Sequence, residues 1–276
     1  MPATRSTKLT LALSAVALVV VAAVIGGRII VHAFETHFSS SSCTIGSYEL
    51  DTDQASVAAQ MVGAASGFRP ALPMHASVLA LMAGLQESKL TNIAPGQGDR
   101  DSVGVLQQRP SQGWGHHSAA RLTDVTEATH EFLAALMKVP HWRTRASADA
   151  IQAVQISADG SAYARHESEA TTLARALLGV DHAAISCSIG KPTKVASAQR
   201  VVGLLRHQLP VNRPTMSGRT IRVPGAGWQT TAWFVANADR LGVDSVDYGG
   251  KRWSRADGWQ SAATGTRAVV ATMAGG

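Results

Sequence analysis

The nineteen residues from Leu9 to Gly27 carry no charge, and no other feature narrows the possible architectures as much. At a rise of about 1.5 Å per residue, a helix of that length just crosses a hydrocarbon core of roughly 30 Å. Arg5 and Lys8 stand in front of the run, Arg28 stops it, and Ile29 to Phe34 add further apolar surface. With the terminal amine, the positive charge is heavier in front. The N-terminus then stays in the cytoplasm, and everything after about residue 30 is exported. A cleaved secretory signal is the competing reading. Its apolar region runs about 7–15 residues and ends in an Ala-x-Ala-like site, whereas this run is longer and has no convincing site of that kind behind it. The expectation is one N-terminal transmembrane helix holding a single-pass protein in the cell membrane, with its C-terminal domains extracellular. If the segment is cleaved, the protein is secreted.

One apolar helix cannot enclose a transport path, so a transporter is excluded. The rest of the chain has a globular composition, with 45% hydrophobic and 16% charged residues overall. The net charge of +6 suits an anionic surface such as a bacterial wall or phospholipid. It is spread along the chain with no Lys/Arg-rich run, so nucleic acid is not an expected partner. Export also bears on Cys43 and Cys187, which bracket what reads as one folded unit. An oxidising exterior permits a disulfide between them, the alternative being two unpaired thiols. Their separation gives no metal spacing.

Residues 1–34 are thus a cytoplasmic tip and signal-anchor, and the Ser-rich residues 35–50 read as a stalk. Residues 51–187 read as a helical domain. Apolar spacing predicts helices over 51–66 and 73–90, the second with Val78, Leu81, Met82 and Leu85 in an i, i+3, i+4, i+7 stripe. Further helices are expected around Val125–Leu136, Ala148–Val154 and Ser161–Leu178. Residues 188–218 hold Pro192, Pro210 and Pro214 and read as a linker with a short helix over 196–206. Residues 219–276 read as a small α+β accessory module: a helix over 231–241, strands over 243–248 and 251–254, and a Gly249-Gly250 turn. The expected fold class is mainly α.

Between two predicted helices lies the long polar segment 91–121, a kind of connection that inside a compact domain is usually functional. It is preceded by Gln86-Glu87-Ser88 and contains Gly98-Asp99-Arg100-Asp101-Ser102-Val103-Gly104-Val105-Leu106-Gln107-Gln108-Arg109-Pro110-Ser111. On a wheel of about 100° per residue, Glu87 falls with Ala80, Ala83 and Gly84, away from the Leu/Met stripe. That small-residue face lets backbone or ligand approach closely. A carboxylic acid at the end of an apolar helix, facing a Gly-rich segment, is placed for general-acid work. The plain alternative is a solvated Glu at a helix C-terminus.

These motifs resemble the lysozyme-like superfamily, specifically goose-type lysozymes and bacterial lytic transglycosylases. Glu87-Ser88 resembles the family's first motif. Gly104-Val105-Leu106-Gln107, with Pro110-Ser111 after it, is similar to the Gly-Leu-Met-Gln motif, and Gly98-Asp99-Arg100 to the Gly-Asp-Arg before it in goose-type enzymes. The run also resembles a lysozyme-like domain of exported actinobacterial proteins, and the likeness spans residues 51–178. It implies a lysozyme-like α-helical domain that cleaves the bond between N-acetylmuramic acid and N-acetylglucosamine in peptidoglycan strands, with no cofactor. Glu87 would be the general acid, Ser88 would orient a polar group beside it, and Gly104 to Gln107 would line the sugar cleft. Gln107 and Gln108 would offer amides to N-acetyl groups. Asp99 would be the base of an inverting hydrolase, which needs a second carboxylate about 6.5–9.5 Å from the acid. Asp101 is the other carboxylate in reach, and either Asp can simply cap a turn or pair with Arg. A lytic transglycosylase needs no such base, because the muramic 6-hydroxyl attacks internally.

There are departures from the family pattern. Its Ala-Tyr-Asn-x-Gly motif has only Ala162-Tyr163-Ala164-Arg165 as a counterpart, and Gln108-Arg109-Pro110 stand where goose-type enzymes carry an acid. A catalytically degenerate wall-binding or scaffolding protein is therefore the competing function, with its protein partners unknown. Trp114, between Gly113 and Gly115, is placed to stack on a sugar or to anchor its loop, and His116-His117 lack a third metal ligand nearby. No metal site is expected. The tail faintly resembles the end of D-alanyl-D-alanine-peptidase-like modules, without a recognisable zinc-binding His and Asp. Trp228, Trp233, Trp253 and Trp259 offer a wall-binding face, or core packing for most of them.

Overall fold

The computed structural model describes residues 41–156, 160–211, 213–262, 265 and 267–275. The Leu9–Gly27 run, and with it the expected membrane anchor, lies outside the described residues. Among those residues, no helix is long and apolar enough to cross a membrane.

Strands β1 (Ser42–Ile45) and β2 (Tyr48–Asp51) form a hairpin turned at Gly46, whose φ of 61° favours glycine. Asp51 then caps helix α1 (Thr52–Gly67) in a reciprocal box. Its carboxylate accepts the Gln54 backbone N–H at 2.7 Å, while the Gln54 side chain accepts the Asp51 N–H at 2.9 Å. Helix α2 (Met74–Ser88) follows Pro73, a residue without an N–H to leave unsatisfied at a helix start. Every residue from Ala76 to Leu85 in α2 is buried, and a helix apolar on all sides belongs inside the fold. Around it pack α1, α4 (Val125–Leu136), α5 (Ser147–Gln155) and α6 (Glu167–Leu177). The short α3 (Ala119–Leu122) precedes α4. Asp124 caps α4 by accepting the N–H groups of Thr126 and Glu127.

Strand β3 (Ile185–Ser188) returns beside β1 and completes a three-stranded antiparallel sheet of order β2-β1-β3. Cys43 and Cys187 face each other in that register and are joined by a disulfide. Helix α7 (Ala198–Gln208) lies within the segment read as a linker. Its Val201, Val202 and Leu205 are buried, and it packs on α1 and on the second sheet. The approach to α1 is close: a Cβ on Gly63 would sit 2.2 Å from the Gln208 carbonyl oxygen.

The second sheet is antiparallel with six strands, β4 (Thr215–Ser217), β5 (Thr220–Pro224), β6 (Val243–Tyr248), β7 (Lys251–Ser254), β8 (Gly258–Ser261) and β9 (Ala268–Met273). Their order is β4-β5-β9-β6-β7-β8. Helix α8 (Trp228–Ala236), followed by the short α9 (Ala238–Leu241), contacts β6 and β9 as well as α1, α6 and β3. One apolar core therefore runs from the α1–α2 pair through α8 into the second sheet, and residues 41–276 form one compact unit. Trp233 and Trp253 are fully inside it, whereas Trp228 and Trp259 are half-buried and touch each other.

The mainly-α expectation is corrected by these nine strands in two antiparallel sheets. Most have three to five residues, as in Ser-Cys-Thr-Ile at β1 and Thr-Met-Ser at β4. A strand that short shows at most about two cycles of the period-2 alternation by which strands are recognised. The strands at 42–51, at the end of the segment read as a stalk, were hidden by their polar composition. The expected strand pair 243–248 and 251–254, with its Gly249-Gly250 turn, is present as β6 and β7.

Candidate active site

Glu87 stands in the last turn of α2. The helix ends because Lys89 and Leu90 both adopt left-handed conformations (φ 54° and 60°), and the Leu90 N–H returns to the Gly84 carbonyl at 3.0 Å. Glu87 is half-buried, and the Tyr163 hydroxyl donates to its Oε1 at 2.5 Å. Tyr163 is fully buried in the 3-10 turn Gly160–His166 that leads into α6. A buried ring offers one orientation for its hydroxyl, so one carboxylate oxygen is fixed by the core.

Ser88 performs a different task from its neighbour. Its hydroxyl lies 2.8 Å from the Val105 carbonyl oxygen and 3.2 Å from that of Gly84, and it accepts the Thr91 N–H at 3.1 Å. The polar segment is thereby tied to the end of α2. The segment is a small loop, closed by the Val103 N–H to the Gln108 carbonyl (2.9 Å) and anchored by the Gly104 N–H to the Ile93 carbonyl (2.8 Å). Val105 and Leu106 are buried, and Gln155 donates to the Leu106 carbonyl at 2.9 Å. Gly104 is required there: its φ is 77°, and a Cβ would lie 2.2 Å from the Leu122 carbonyl oxygen. Gly104→Ala is expected to destabilise the protein by about 2–4 kcal/mol, from a strained backbone and a forced separation of the loop from α3. Urea denaturation of both proteins checks this value.

The two glutamines part company. Gln107 is half-buried with φ 47°, and its amide donates to the Gly104 carbonyl of its own loop at 2.8 Å. Gln108 is buried and turned toward α4, donating to the Ala128 carbonyl at 3.2 Å. Its amide is committed to the interior, which departs from the sugar-binding role that the resemblance implies.

The second-carboxylate candidates also separate. The Asp99 side chain is 90% exposed, with Arg100 Nε 4.0 Å away. Asp101 accepts Arg109 Nε and the Ser111 N–H, each at 2.8 Å. These two hydrogen bonds hold its carboxyl well below the ordinary range, so Asp101 is a poor proton acceptor and serves as the staple of the 99–111 segment. Trp114 is half-buried against the core at the start of the turn Trp114–His117. His116 faces Glu131 at 3.4 Å, and His117 contacts the Pro110 carbonyl. Among the described residues, no three His, Cys, Asp or Glu side chains gather to hold a metal.

Three residues that had no role in the site on sequence grounds, Gln86, Arg165 and His166, join it. Arg165 donates to Gln86 Oε1 at 2.7 Å, and His166 Nε2 lies 3.2 Å from the same oxygen. Burial, then the Arg165 charge, pushes the His166 imidazole below its ordinary value. The available signal was adjacency: Gln86 precedes Glu87, and Arg165-His166 follow Tyr163 by two and three positions. No family model matches this chain, and no curated protein matches it in sequence.

Proposed function

We propose that this chain is an exported glycosidase of bacterial peptidoglycan, held at the membrane by its Leu9–Gly27 run, with Glu87 as the general acid. The observation that carries the reading is the half-buried Glu87 carboxylate, held by the buried Tyr163 hydroxyl beside a loop that Ser88 ties to the same helix end. The resemblance of Glu87-Ser88 and Gly104 to Gln107 to goose-type lysozymes and lytic transglycosylases supplies the substrate class. The disulfide supports an oxidising compartment, since such bonds persist outside the cytosol.

In the step proposed, Glu87 in its acid form gives its proton to the oxygen linking N-acetylmuramic acid to N-acetylglucosamine. The bond from the muramyl anomeric carbon to that oxygen breaks, and the N-acetylglucosamine leaves with a free 4-hydroxyl. The muramyl 6-hydroxyl oxygen then bonds to the anomeric carbon, and its proton returns to Glu87. The product is a 1,6-anhydro sugar, and one carboxyl group suffices for both proton transfers. The exposed position of Asp99 and the committed state of Asp101 favour this route over inverting hydrolysis, which requires a base at a defined distance.

The purified full chain, kept in mild detergent, is incubated with peptidoglycan and the muropeptides are read by mass spectrometry. Anhydro-muramyl ends are expected. Reducing ends would instead bring Asp99 into the mechanism. An inert protein that pellets with the wall would overturn the enzyme reading in favour of wall binding. Tyr163→Phe removes the hydroxyl that fixes Glu87 and keeps the ring. A hydrogen bond to a charged group is worth about 1.5–3 kcal/mol, so the cleavage rate is expected to fall roughly ten- to hundredfold. KM and the circular dichroism spectrum should stay near those of the parent.

A further inference from the structure

A cavity of about 470 Å³ opens among the first turns of α1, the residues after α2, the start of α4, and α7 and α9. It includes neither Glu87 nor Tyr163 nor the 103–108 loop, although Leu90 and Thr91 just beyond the end of α2 line it. Its size falls in the range of small-molecule pockets, about 300–1,000 Å³. Val57, Val125 and Leu204 supply apolar surface to a wall that is otherwise mostly polar.

The charged groups on its wall are of two kinds. Some are committed to structure. Asp51 caps α1, and Asp124 caps α4 while also meeting His207 Nε2 at 2.9 Å. Others retain capacity. The Asp53 carboxylate is exposed and accepts no hydrogen bond from the described residues. Arg240, which feels the Asp53 charge, commits one nitrogen to Asn237 Oδ1 at 2.8 Å, and a guanidinium has five N–H donors. An uncommitted carboxylate and a largely uncommitted guanidinium thus border one hollow whose wall is otherwise mixed, polar side chains alternating with a few apolar ones.

Elimination narrows the ligand. No Phe, Tyr or Trp lines the cavity, so a sugar or nucleobase would have no ring to stack on. A phosphate-like dianion would meet three aspartates, Asp51, Asp53 and Asp124. A bare metal ion lacks a ligand cluster among the described residues. What fits is a small molecule carrying one positive and one negative group with a short aliphatic part between or beside them.

We propose that this cavity is a second binding site, for an aliphatic amino acid or short peptide with a free amino group and a free carboxylate. Asp53 holds the ammonium, Arg240 holds the carboxylate, and Val57, Val125 and Leu204 lie against the short hydrocarbon part. The site stands independently of the glycosidase reading.

Calorimetric titration of the full chain in mild detergent with the dipeptide Ala-Leu tests it, against N-acetyl-Ala-Leu and Ala-Leu amide. The free dipeptide is expected to saturate one site. Each blocked form should bind about tenfold weaker or worse, a loss of roughly 1.4 kcal/mol. Asp53→Asn should weaken the free dipeptide similarly without further weakening the acetylated one, and Arg240→Gln should behave likewise toward the amide. Glu87→Gln should bind as the parent does, which separates this site from the fate of the glycan reading. Blocked peptides binding as tightly as the free one would overturn the proposal. So would the absence of saturation by the free dipeptide at about 1 mM and above, the weak end of specific affinity. Because the blocked peptides are read on the unaltered protein, neither outcome depends on a variant folding.

Discussion

Glu87→Gln is expected to reduce glycan cleavage by about 10²–10⁴-fold, the contribution typical of a positioned general acid. The substitution keeps the shape of the side chain and an oxygen to accept the Tyr163 hydroxyl, so the hydrogen bond seen at 2.5 Å has a surviving counterpart. What disappears is the proton that the leaving oxygen needs. The variant should melt at the parent's temperature, which distinguishes lost chemistry from lost structure. Asp99→Asn, by contrast, should retain activity within a few-fold, because its side chain is exposed and its ion-pair partner is Arg100 at 4.0 Å. Muropeptide analysis of the two variants side by side is decisive. Equal loss in both would require a second catalytic carboxylate and an inverting mechanism, while full activity of the Gln variant would remove Glu87 from the chemistry.

The largest effect on stability is expected from the paired change Cys43→Ser with Cys187→Ser. The disulfide closes a loop of 144 residues in sequence separation. Loop-closure entropy for that length gives an upper value of about 5 kcal/mol, and removal of native disulfides typically costs 2–5 kcal/mol. Set against a total folding stability of about 5–15 kcal/mol, this is a large share. The consequences are local as well as global. The bond joins β1 to β3, and β1 carries β2 and the Asp51 cap of α1 on its other side. Urea denaturation of the parent and the double variant, with and without reductant, measures the difference. The parent under reducing conditions should approach the variant. A difference below about 1 kcal/mol would mean that strand pairing alone holds the sheet and that the cross-link is incidental to stability.

The sequence by itself located the longer helices to within a few residues. The helix expected over 161–178 is, however, a 3-10 turn followed by α6, and the one expected over 231–241 is the pair α8 and α9. The cap of α1 is written in Asp51 and Gln54, the buried face of α2 in its run of Ala, Leu and Met, and the stop near residue 90 in the polar stretch that follows. It also marked Glu87-Ser88 and the Gly98–Ser111 segment as the place to look. Helical periodicity repeats within a few residues of the chain, and motifs are contiguous, so both are visible without knowing what lies across the fold. Only the tertiary structure decided the rest, because the rest consists of contacts between residues far apart in the chain. The Tyr163–Glu87 hydrogen bond spans 76 positions, and the pairing of β1 with β3 spans 144 at the disulfide. The same holds for Gln108, whose direction depends on whether α4 is there to receive its amide. It holds for Asp101, a proton-transfer candidate in the sequence and a structural staple once Arg109 and Ser111 close on it. The sheets escaped notice for a related reason: a four-residue strand has too little local pattern of its own and is specified by the partner it lies against.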